Sequence, residues 1–274
     1  RILKSSYENR PTSIRVNTDR ISVDDYGIKL ADAGIEVTRG TLNDTSLLIN
    51  GYDYVRRIPG YMDGEFTVQD QSSCLAVRAA GIQEGDLVVD VCAAPGGKTM
   101  YAASLAGCAG RVISRDLTES KTELIEENID RLGITNVTVE AWDAKILDES
   151  LIGMADVVIA DLPCSGLGIM GRKNDIKYNV TAAGIEELSQ LQREILDVVS
   201  QYVKPGGTLV YSTCTIDSEE NQKNVQWFLK NHEFQIAGID DIVPGHGGDR
   251  GYVTLLQGID ECDGFFISKF VRKK

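Results

Sequence analysis

The sequence is poor in the residues that build metal sites and membrane spans. Its 274 residues include two histidines and six scattered cysteines, with no C-x-x-C pair. Zinc sites draw their ligands from such clusters, so we expect no metal ion. No apolar run approaches the roughly 20 residues of a membrane-spanning helix, and a secretory signal pattern is missing. We therefore predict a soluble, cytoplasmic protein with free thiols and no membrane partner, and we expect a monomer.

Clustered positive charge is equally scarce. The formal net charge is −13, and holding nucleic acid by bulk electrostatics requires clustered Lys and Arg that neutralise phosphates. The composition therefore argues against that mode of binding. A few local basic clusters leave one basic face open, although ordinary solvated surface explains each of them alone at least as well: Arg10, Arg15 and Arg20; Arg56 and Arg57; Arg172, Lys173 and Lys177.

From about residue 86 the sequence alternates β-branched runs with amphipathic stretches, which is typical of a parallel sheet with crossover helices. The predicted strands are 87–91, 111–115, 137–141, 156–160 and 208–213, with a closing strand at 264–271. The predicted helices are 97–107, 118–132 and 185–203, followed by one capped by Asp217 and Ser218. Residues 1–65 carry shorter mixed elements, joined to the rest by a helix at about 70–81. The sequence thus predicts a small α+β module over 1–65 and an α/β core over 66–274.

A turn of small residues follows the first core strand, where open α/β folds bind nucleotides. Gly97-Lys98-Thr99 matches the end of a phosphate-binding Walker loop, but Cys92 occupies the position of that loop's first glycine. The G-x-G-x-x-G spacing of dinucleotide sites is absent. S-adenosylmethionine is the common cofactor that remains, and its candidate loop is Cys92, Ala93, Ala94, Pro95, Gly96, Gly97 and Lys98.

Acidic residues end the next three predicted strands. Asp116 lies about 20 residues beyond the glycines, where a carboxylate accepts hydrogen bonds from ribose hydroxyls. Asp143 is placed to meet the adenine, and Asp161 completes the series. Each alone reads more simply as a helix cap or a solvated loop residue. Three at successive strand ends predict a cofactor site.

Two cysteines also follow neighbouring strands, Cys164 in Asp161-Leu-Pro-Cys-Ser and Cys214 in Ser212-Thr-Cys-Thr. A lone buried cysteine is usually a small hydrophobic residue, but two beside a cofactor loop suit thiolate chemistry. Carbon 5 of cytosine becomes nucleophilic only after a nucleophile adds to carbon 6, and a thiolate can add and later leave. Asp161 could stabilise the adduct at N3, and Lys98 could hold the base and the thiolate.

These motifs, together with Arg15-Val-Asn17, Val68-Gln-Asp70-Gln-Ser-Ser73 and Asp263-Gly-Phe-Phe, resemble the RNA cytosine-5 methyltransferase family, most closely its bacterial 16S ribosomal RNA enzymes of the Fmu or Sun type. The resemblance covers nearly the whole chain. It implies a class I S-adenosylmethionine-dependent methyltransferase fold with a Rossmann-like, mostly parallel sheet. It also implies a small N-terminal α+β RNA-binding subdomain and an RNA substrate, ribosomal RNA before tRNA.

The same resemblance assigns the nucleophile to Cys214 and product release to Cys164. DNA cytosine-5 methyltransferases place their nucleophile in a Pro-Cys dipeptide, which Pro163-Cys164 also resembles, so the sequence alone leaves the two roles open. The RNA-type loop over residues 90–98 favours Cys214.

Residues 171–178 resemble the family's substrate loop. Arg172 and Lys177 are expected to meet phosphates there, and Tyr178 to stack on a base, while a plain exposed loop is the simpler alternative. Two departures stand out. Leu162 replaces the family's usual alanine, and the N-terminal helical domain of the full-length enzymes is missing. Because the chain begins at Arg1, we expect either a trimmed chain or a shorter natural relative.

Two other functions compete with this interpretation. A methyltransferase acting on exocyclic amines or small molecules shares the fold and needs no thiol. An RNA-binding protein that has lost catalysis would keep the fold alone. The second is disfavoured because both cysteines, Lys98 and Asp161 are present.

Overall fold

The computed structural model describes residues 2–8, 10–243, 245–246 and 250–274, which form two packed sheets with flanking helices. The first elements in chain order are α1 (Ile2–Ser5), β1 (Thr12–Val16), α2 (Val23–Asp32), β2 (Glu36–Arg39), β3 (Ser46–Asn50), β4 (Phe66–Val68) and α3 (Gln71–Ala80). The core follows with β5 (Leu87–Asp90), α4 (Gly97–Ala106), β6 (Arg111–Asp116), α5 (Glu119–Leu132), β7 (Val137–Ala141), β8 (Ala155–Asp161), α6 (Ile176–Asn179), α7 (Ala182–Val199), β9 (Val203–Thr213), α8 (Gln222–Asn231), β10 (Phe234–Ile236), β11 (Tyr252–Leu255) and β12 (Phe265–Arg272).

The small N-terminal sheet has the order β2-β3-β1-β4, with antiparallel neighbours throughout. Ser22 is the N-cap of helix α2. Its hydroxyl accepts the Asp25 N–H and so satisfies one free donor of the first turn. Tyr26 and Leu30, one turn apart, are buried against the sheet. Because β4 pairs with β1, this sheet continues past residue 65, where the sequence placed the end of the module.

The large sheet has the order β10-β12-β9-β8-β5-β6-β7, with β11 added beside β12. The five neighbouring strands β9, β8, β5, β6 and β7 are parallel to one another. The remaining strands, β10, β11 and β12, are antiparallel additions. The chain runs outward from β5 to β7 and then returns to β8 on the other side of β5. This reversal opens a crevice at the carboxyl ends of β5 and β8, which is where open α/β sheets bind ligands.

The predicted α/β class and all six predicted core strands are confirmed. Two helices are displaced from their predicted positions. The helix predicted over 185–203 spans Ala182–Val199, and α8 begins at Gln222 after Asn221, with Asp217 and Ser218 ahead of it. For α8 the cause is burial, since the side chains of Glu220 and Asn221 are fully buried and bonded to the core, which holds this segment out of the helix. The sequence also missed β4, β10 and β11, which are too short to show a clear period of two.

Arginines join the two sheets. Arg15 of β1 is buried, with its guanidinium carbon 4.6 Å from the centre of the Tyr101 ring on α4. Arg131 of α5 donates to the carbonyl oxygens of Tyr61 and Phe66 at 3.0 and 2.9 Å. Arg20 donates back to the Leu132 carbonyl at 2.9 Å. The N-terminal basic residues therefore fasten the small domain to the core.

Two further properties concern the described part of the chain. No helix there is both long enough and apolar enough to cross a membrane. No group of three or more His, Cys, Asp or Glu side chains in those residues is arranged to hold a metal ion. All six cysteines are free thiols, as predicted.

The Arg131 contacts yield a stability prediction. Arg131→Met leaves two carbonyl groups at the domain junction without their donor, so we expect the free energy of unfolding to fall by about 1–3 kcal/mol. Urea unfolding measures this loss. The matched control is Arg111→Met on the exposed start of β6, expected to change stability by less than about 0.5 kcal/mol. Equal losses in the two variants would contradict the proposed role of the junction.

Candidate active site

The crevice at the strand ends contains a cavity of about 520 Å³. Seven of the predicted site residues line it: Cys92, Ala94, Asp116, Asp143, Asp161, Cys164 and Cys214. Trp142, Lys121 and Leu191 also line it, and no sequence motif marks them. The structure therefore brings both cysteines, the three strand-end acids and two loop residues to one cavity, although they come from five different strand ends. The other predicted loop residues do not line it: Ala93, Pro95, Gly96, Gly97 and Lys98.

The turn after β5 depends on one glycine and one carboxylate. Gly96 has φ of +100°, a backbone conformation that residues with a Cβ rarely adopt, so this position favours glycine. Asp116, at the end of β6, accepts the Ala94 N–H at 2.9 Å with one oxygen and the Lys121 ammonium at 2.9 Å with the other. Asp116 thus holds the loop in shape from the neighbouring strand.

Asp90, the last residue of β5, is a buried carboxylate that sequence reasoning left without a role. One oxygen accepts the Thr99 hydroxyl at 2.7 Å, and Thr99 is in turn 2.8 Å from the Ser114 hydroxyl. The other oxygen, Oδ1, has no hydrogen-bond partner among the described residues. Burial raises the pKa of Asp90 to about 7. The sequence signal that could have identified Asp90 is its position as a single acidic residue at the end of an apolar strand.

Lys98 and Asp161 form a partly buried ion pair with an Nζ–Oδ2 distance of 2.5 Å. The other Asp161 oxygen accepts the Ser212 hydroxyl at 2.8 Å. Burial by itself would lower the pKa of Lys98, but the carboxylates of Asp161 and Asp90 outweigh it and raise that pKa. Lys98 therefore remains an ammonium ion beside the two strand ends.

The two cysteines of the crevice meet directly. Their Sγ atoms are 3.2 Å apart, within hydrogen-bond distance for sulfur. The hydrogen bond from Cys164 lowers the pKa of Cys214, and Lys98 lowers it further, against the opposing effect of burial. The same hydrogen bond, together with burial, raises the pKa of Cys164 well above its ordinary value. The arrangement favours a thiolate on Cys214 and a protonated thiol on Cys164.

The candidate substrate loop divides between two environments. Arg172 donates to the Pro11 carbonyl at 2.9 Å and lies 3.4 Å from an Asp263 carboxylate oxygen, so it ties the loop to the N-terminal segment. Lys177 instead lies over two rings, with Nζ 4.9 Å from the centre of Tyr7 and 5.1 Å from that of Tyr178. Tyr178 is 79% exposed. Sequence reasoning missed Tyr7, which no motif marks.

A second, smaller cavity of about 240 Å³ lies between this loop and the Cys164 segment. Cys164 and Ser165 line one side of it, and Asp175, Asn179 and Thr181 line another. The Cys164 thiol therefore borders both cavities, so a ligand in either one can reach it.

Comparison with known proteins identifies the relatives of this chain. Residues 78–271 match the family described as 16S rRNA methyltransferase RsmB/F. Residues 1–55 match the ferredoxin-like domain of RsmF/B-like methyltransferases. The β2-β3-β1-β4 order, with α2 linking β1 to β2, is the strand order of that ferredoxin-like arrangement.

Two curated relatives and one solved structure illustrate the match. The chain is 38% identical over 269 residues to the probable ribosomal RNA small subunit methyltransferase B of Bacillus subtilis, covering 96% of this chain and 60% of the relative. It is 33% identical over 269 residues to the ribosomal RNA small subunit methyltransferase F of Cronobacter sakazakii, covering 94% and 56%. A methyltransferase homolog protein from Pyrococcus horikoshii is 27% identical with a TM-score of 0.85, over 99% of this chain and 89% of that one.

The chain thus spans less than two thirds of the length of these curated relatives. The match nevertheless extends through both sheets and all of the strand ends described above. The resemblance seen in the motifs is confirmed: the chain belongs to the 16S rRNA methyltransferase RsmB/F family, with a ferredoxin-like domain ahead of an S-adenosylmethionine-dependent methyltransferase fold.

Proposed function

We propose that this protein transfers a methyl group from S-adenosylmethionine to carbon 5 of a cytosine in 16S ribosomal RNA, through a covalent adduct between Cys214 and carbon 6. The observation that carries the proposal is the 3.2 Å contact between the Cys164 and Cys214 sulfur atoms beside the Lys98–Asp161 pair. A methyltransferase acting on an exocyclic amine needs no such pair of thiols. Family membership supports ribosomal RNA as the substrate and the cytoplasm as the location.

The residues of the larger cavity fit S-adenosylmethionine. Its volume of about 520 Å³ lies within the range of ~300–1,000 Å³ typical of small-molecule sites. Asp116 would accept the ribose hydroxyls and Asp143 would meet the adenine, while Cys92 and Ala94 line the wall beside them. When bound, the cofactor supplies an electrophilic methyl group.

The first chemical step belongs to Cys214. Its thiolate adds to carbon 6 of the cytosine, and the electrons of the C5–C6 double bond make carbon 5 nucleophilic. Asp161, held by Lys98 and Ser212, would face the N3 edge of the base and pass to N3 a proton drawn from the Lys98 ammonium ion, which neutralises the negative charge that the thiolate brings to the ring. Pairing of Asp161 with a buried ammonium ion keeps both groups oriented before the substrate arrives.

Release of the product involves Cys164. Once Cys214 is bonded to carbon, it no longer raises the pKa of Cys164, which then becomes easier to deprotonate. A base must remove the proton from carbon 5 so that the double bond re-forms and Cys214 leaves with its electron pair. Cys164 is the thiol nearest to Cys214 and is proposed to assist this elimination.

The two cysteines are predicted to fail in different ways when substituted. Cys214→Ala removes the nucleophile, so methylation of unmodified 16S rRNA should fall to below about one-thousandth of the wild-type rate, with no covalent adduct. Cys164→Ala should instead trap a protein–RNA adduct, visible as a band of reduced mobility on a denaturing gel. The exposed Cys108 provides the control, and Cys108→Ala should retain wild-type activity. An adduct that persists in Cys214→Ala would reverse the assigned roles.

The ionisation of Cys214 provides a second test. A thiolate alkylates faster than a thiol, so a lowered pKa makes iodoacetamide labelling of Cys214 half-maximal at a lower pH than for cysteine in an unstructured peptide, about 8.5. Lys98→Met removes a nearby positive charge and should raise this midpoint, because the thiolate loses its stabilisation. Peptide mass spectrometry across a pH series measures both values. Lys230→Met, on the exposed face of α8, is the control; a wild-type midpoint above that of the peptide would contradict the assignment.

Cofactor binding is predicted to depend on Asp116. Asp116→Asn removes the charged acceptor of the ribose hydroxyls and weakens the hold on the Ala94 loop, so affinity for S-adenosylmethionine should fall about 10–100-fold. Isothermal titration calorimetry measures the dissociation constant without any RNA. Asp130→Asn, on the exposed surface of α5, should bind as the wild type does. Unchanged affinity in Asp116→Asn would remove this residue from the cofactor site.

A further inference from the structure

Two adjacent buried residues lie behind the cysteines, just before α8. Glu220 and Asn221 both have no solvent exposure. Asn221 occupies the N-cap position of α8, yet its side chain makes no capping hydrogen bond to that helix. Both side chains are directed instead to the segments that carry the two thiols.

Glu220 holds both sides of Cys164. One carboxylate oxygen accepts the Ser165 N–H and the Gln192 amide, each at 2.9 Å, and the other accepts the Ser165 hydroxyl at 2.5 Å. The same Gln192 amide donates to the Pro163 carbonyl at 2.9 Å. Residue 165 is therefore bound directly to Glu220, and residue 163 is bound through Gln192.

Asn221 holds both sides of Cys214 in the same manner. Its amide nitrogen donates to the Thr215 carbonyl at 2.9 Å, and its amide oxygen accepts the Thr213 hydroxyl at 2.6 Å. The two segments are also joined to each other, because the Ser165 and Thr215 hydroxyl oxygens lie 2.8 Å apart. Since Ser165 gives its proton to Glu220, Thr215 is the donor in this last bond.

We propose that Glu220 and Asn221 are positioning residues that hold the Cys164 and Cys214 thiols within hydrogen-bond distance of each other. The catalytic consequence rests on the proposed function, whereas the effect on the thiols does not. A buried network with every member bonded is rigid, and an unbonded member is costly, so removing one side chain displaces the segment that it holds. A displacement of about 1 Å at a reacting group is enough to slow a reaction roughly 100-fold.

Substitutions at Glu220 separate positioning from charge. Glu220→Ala removes all three hydrogen bonds. Glu220→Gln can keep them, because its amide oxygen accepts the Ser165 and Gln192 N–H groups while its NH₂ donates to the Ser165 hydroxyl, which then donates to Thr215. The control is Glu219→Gln, since the exposed Glu219 side chain pairs with Lys223 on the surface of α8.

The experiment measures two properties of the full chain. The first is the pH dependence of Cys214 alkylation by iodoacetamide without RNA or cofactor, and the second is steady-state methylation of unmodified 16S rRNA. For Glu220→Ala we expect the alkylation midpoint to rise by about one pH unit, because Cys214 loses the hydrogen bond from Cys164. We expect kcat to fall about 100-fold while KM changes less than about threefold. Glu220→Gln and Glu219→Gln should match the wild type within about threefold in kcat.

Two results would overturn the proposal: an unchanged midpoint for Cys214 in Glu220→Ala, or a Glu220→Gln variant as impaired as Glu220→Ala. If Glu220→Ala fails to fold, Ser165→Ala tests the proposal in its place. This substitution removes the hydroxyl that bridges Glu220 and Thr215 and changes the side-chain volume little. It should raise the Cys214 midpoint in the same direction, and no rise would again refute the proposal. Absence of methylation by the wild type would refute the proposed function alone, because the alkylation profiles need no substrate.

Discussion

The reversal of strand order between β5 and β8 is the constraint on which the rest of the structure depends. Parallel pairing aligns Asp90 with Ser114 and with Ile159, and Asp161 with Ser212, so that four strands end at the same edge. Segments as far apart as Cys92 and Cys214 therefore deliver their polar side chains to one crevice. Backbone hydrogen bonding within the sheet brings the cofactor loop, the acids and both cysteines close together. Contacts between their side chains then adjust their positions within the crevice.

Beside the two cysteines, the Lys98 ammonium ion offsets the charge of nearby acids. Lys98 pairs with Asp161 and is influenced by Asp90, and its charge also favours ionisation of Cys214. A second cysteine that donates a hydrogen bond completes this arrangement, because a thiolate in a half-buried site otherwise loses much of its solvation. The two thiols are thus made chemically unequal by their neighbours rather than by any difference between the residues themselves.

Three N-terminal arginines serve the junction between the domains. Arg15 lies over Tyr101, Arg20 binds the end of α5, and Arg10 pairs with Asp263 at 2.6 Å. These contacts fix the ferredoxin-like sheet against the core. The exposed Lys177 and Tyr178 lie near the Cys164 segment. In this chain of net charge −13, these three arginines therefore make specific contacts within the protein.

The sequence by itself determined the alternation of strands and helices, the turn over residues 90–98 and the presence of two cysteines after neighbouring strands, because these follow from local periodicity and short motifs. It failed where partners are distant. The start of α8 after Asn221, the pairing of Arg172 with Asp263, and the short strands β4, β10 and β11 depend on neighbours elsewhere in the chain. Only the tertiary structure decided the 3.2 Å contact of the sulfur atoms and the burial of Glu220. Residues 164 and 214 are 50 positions apart, and the register of β8 against β9 brings them together.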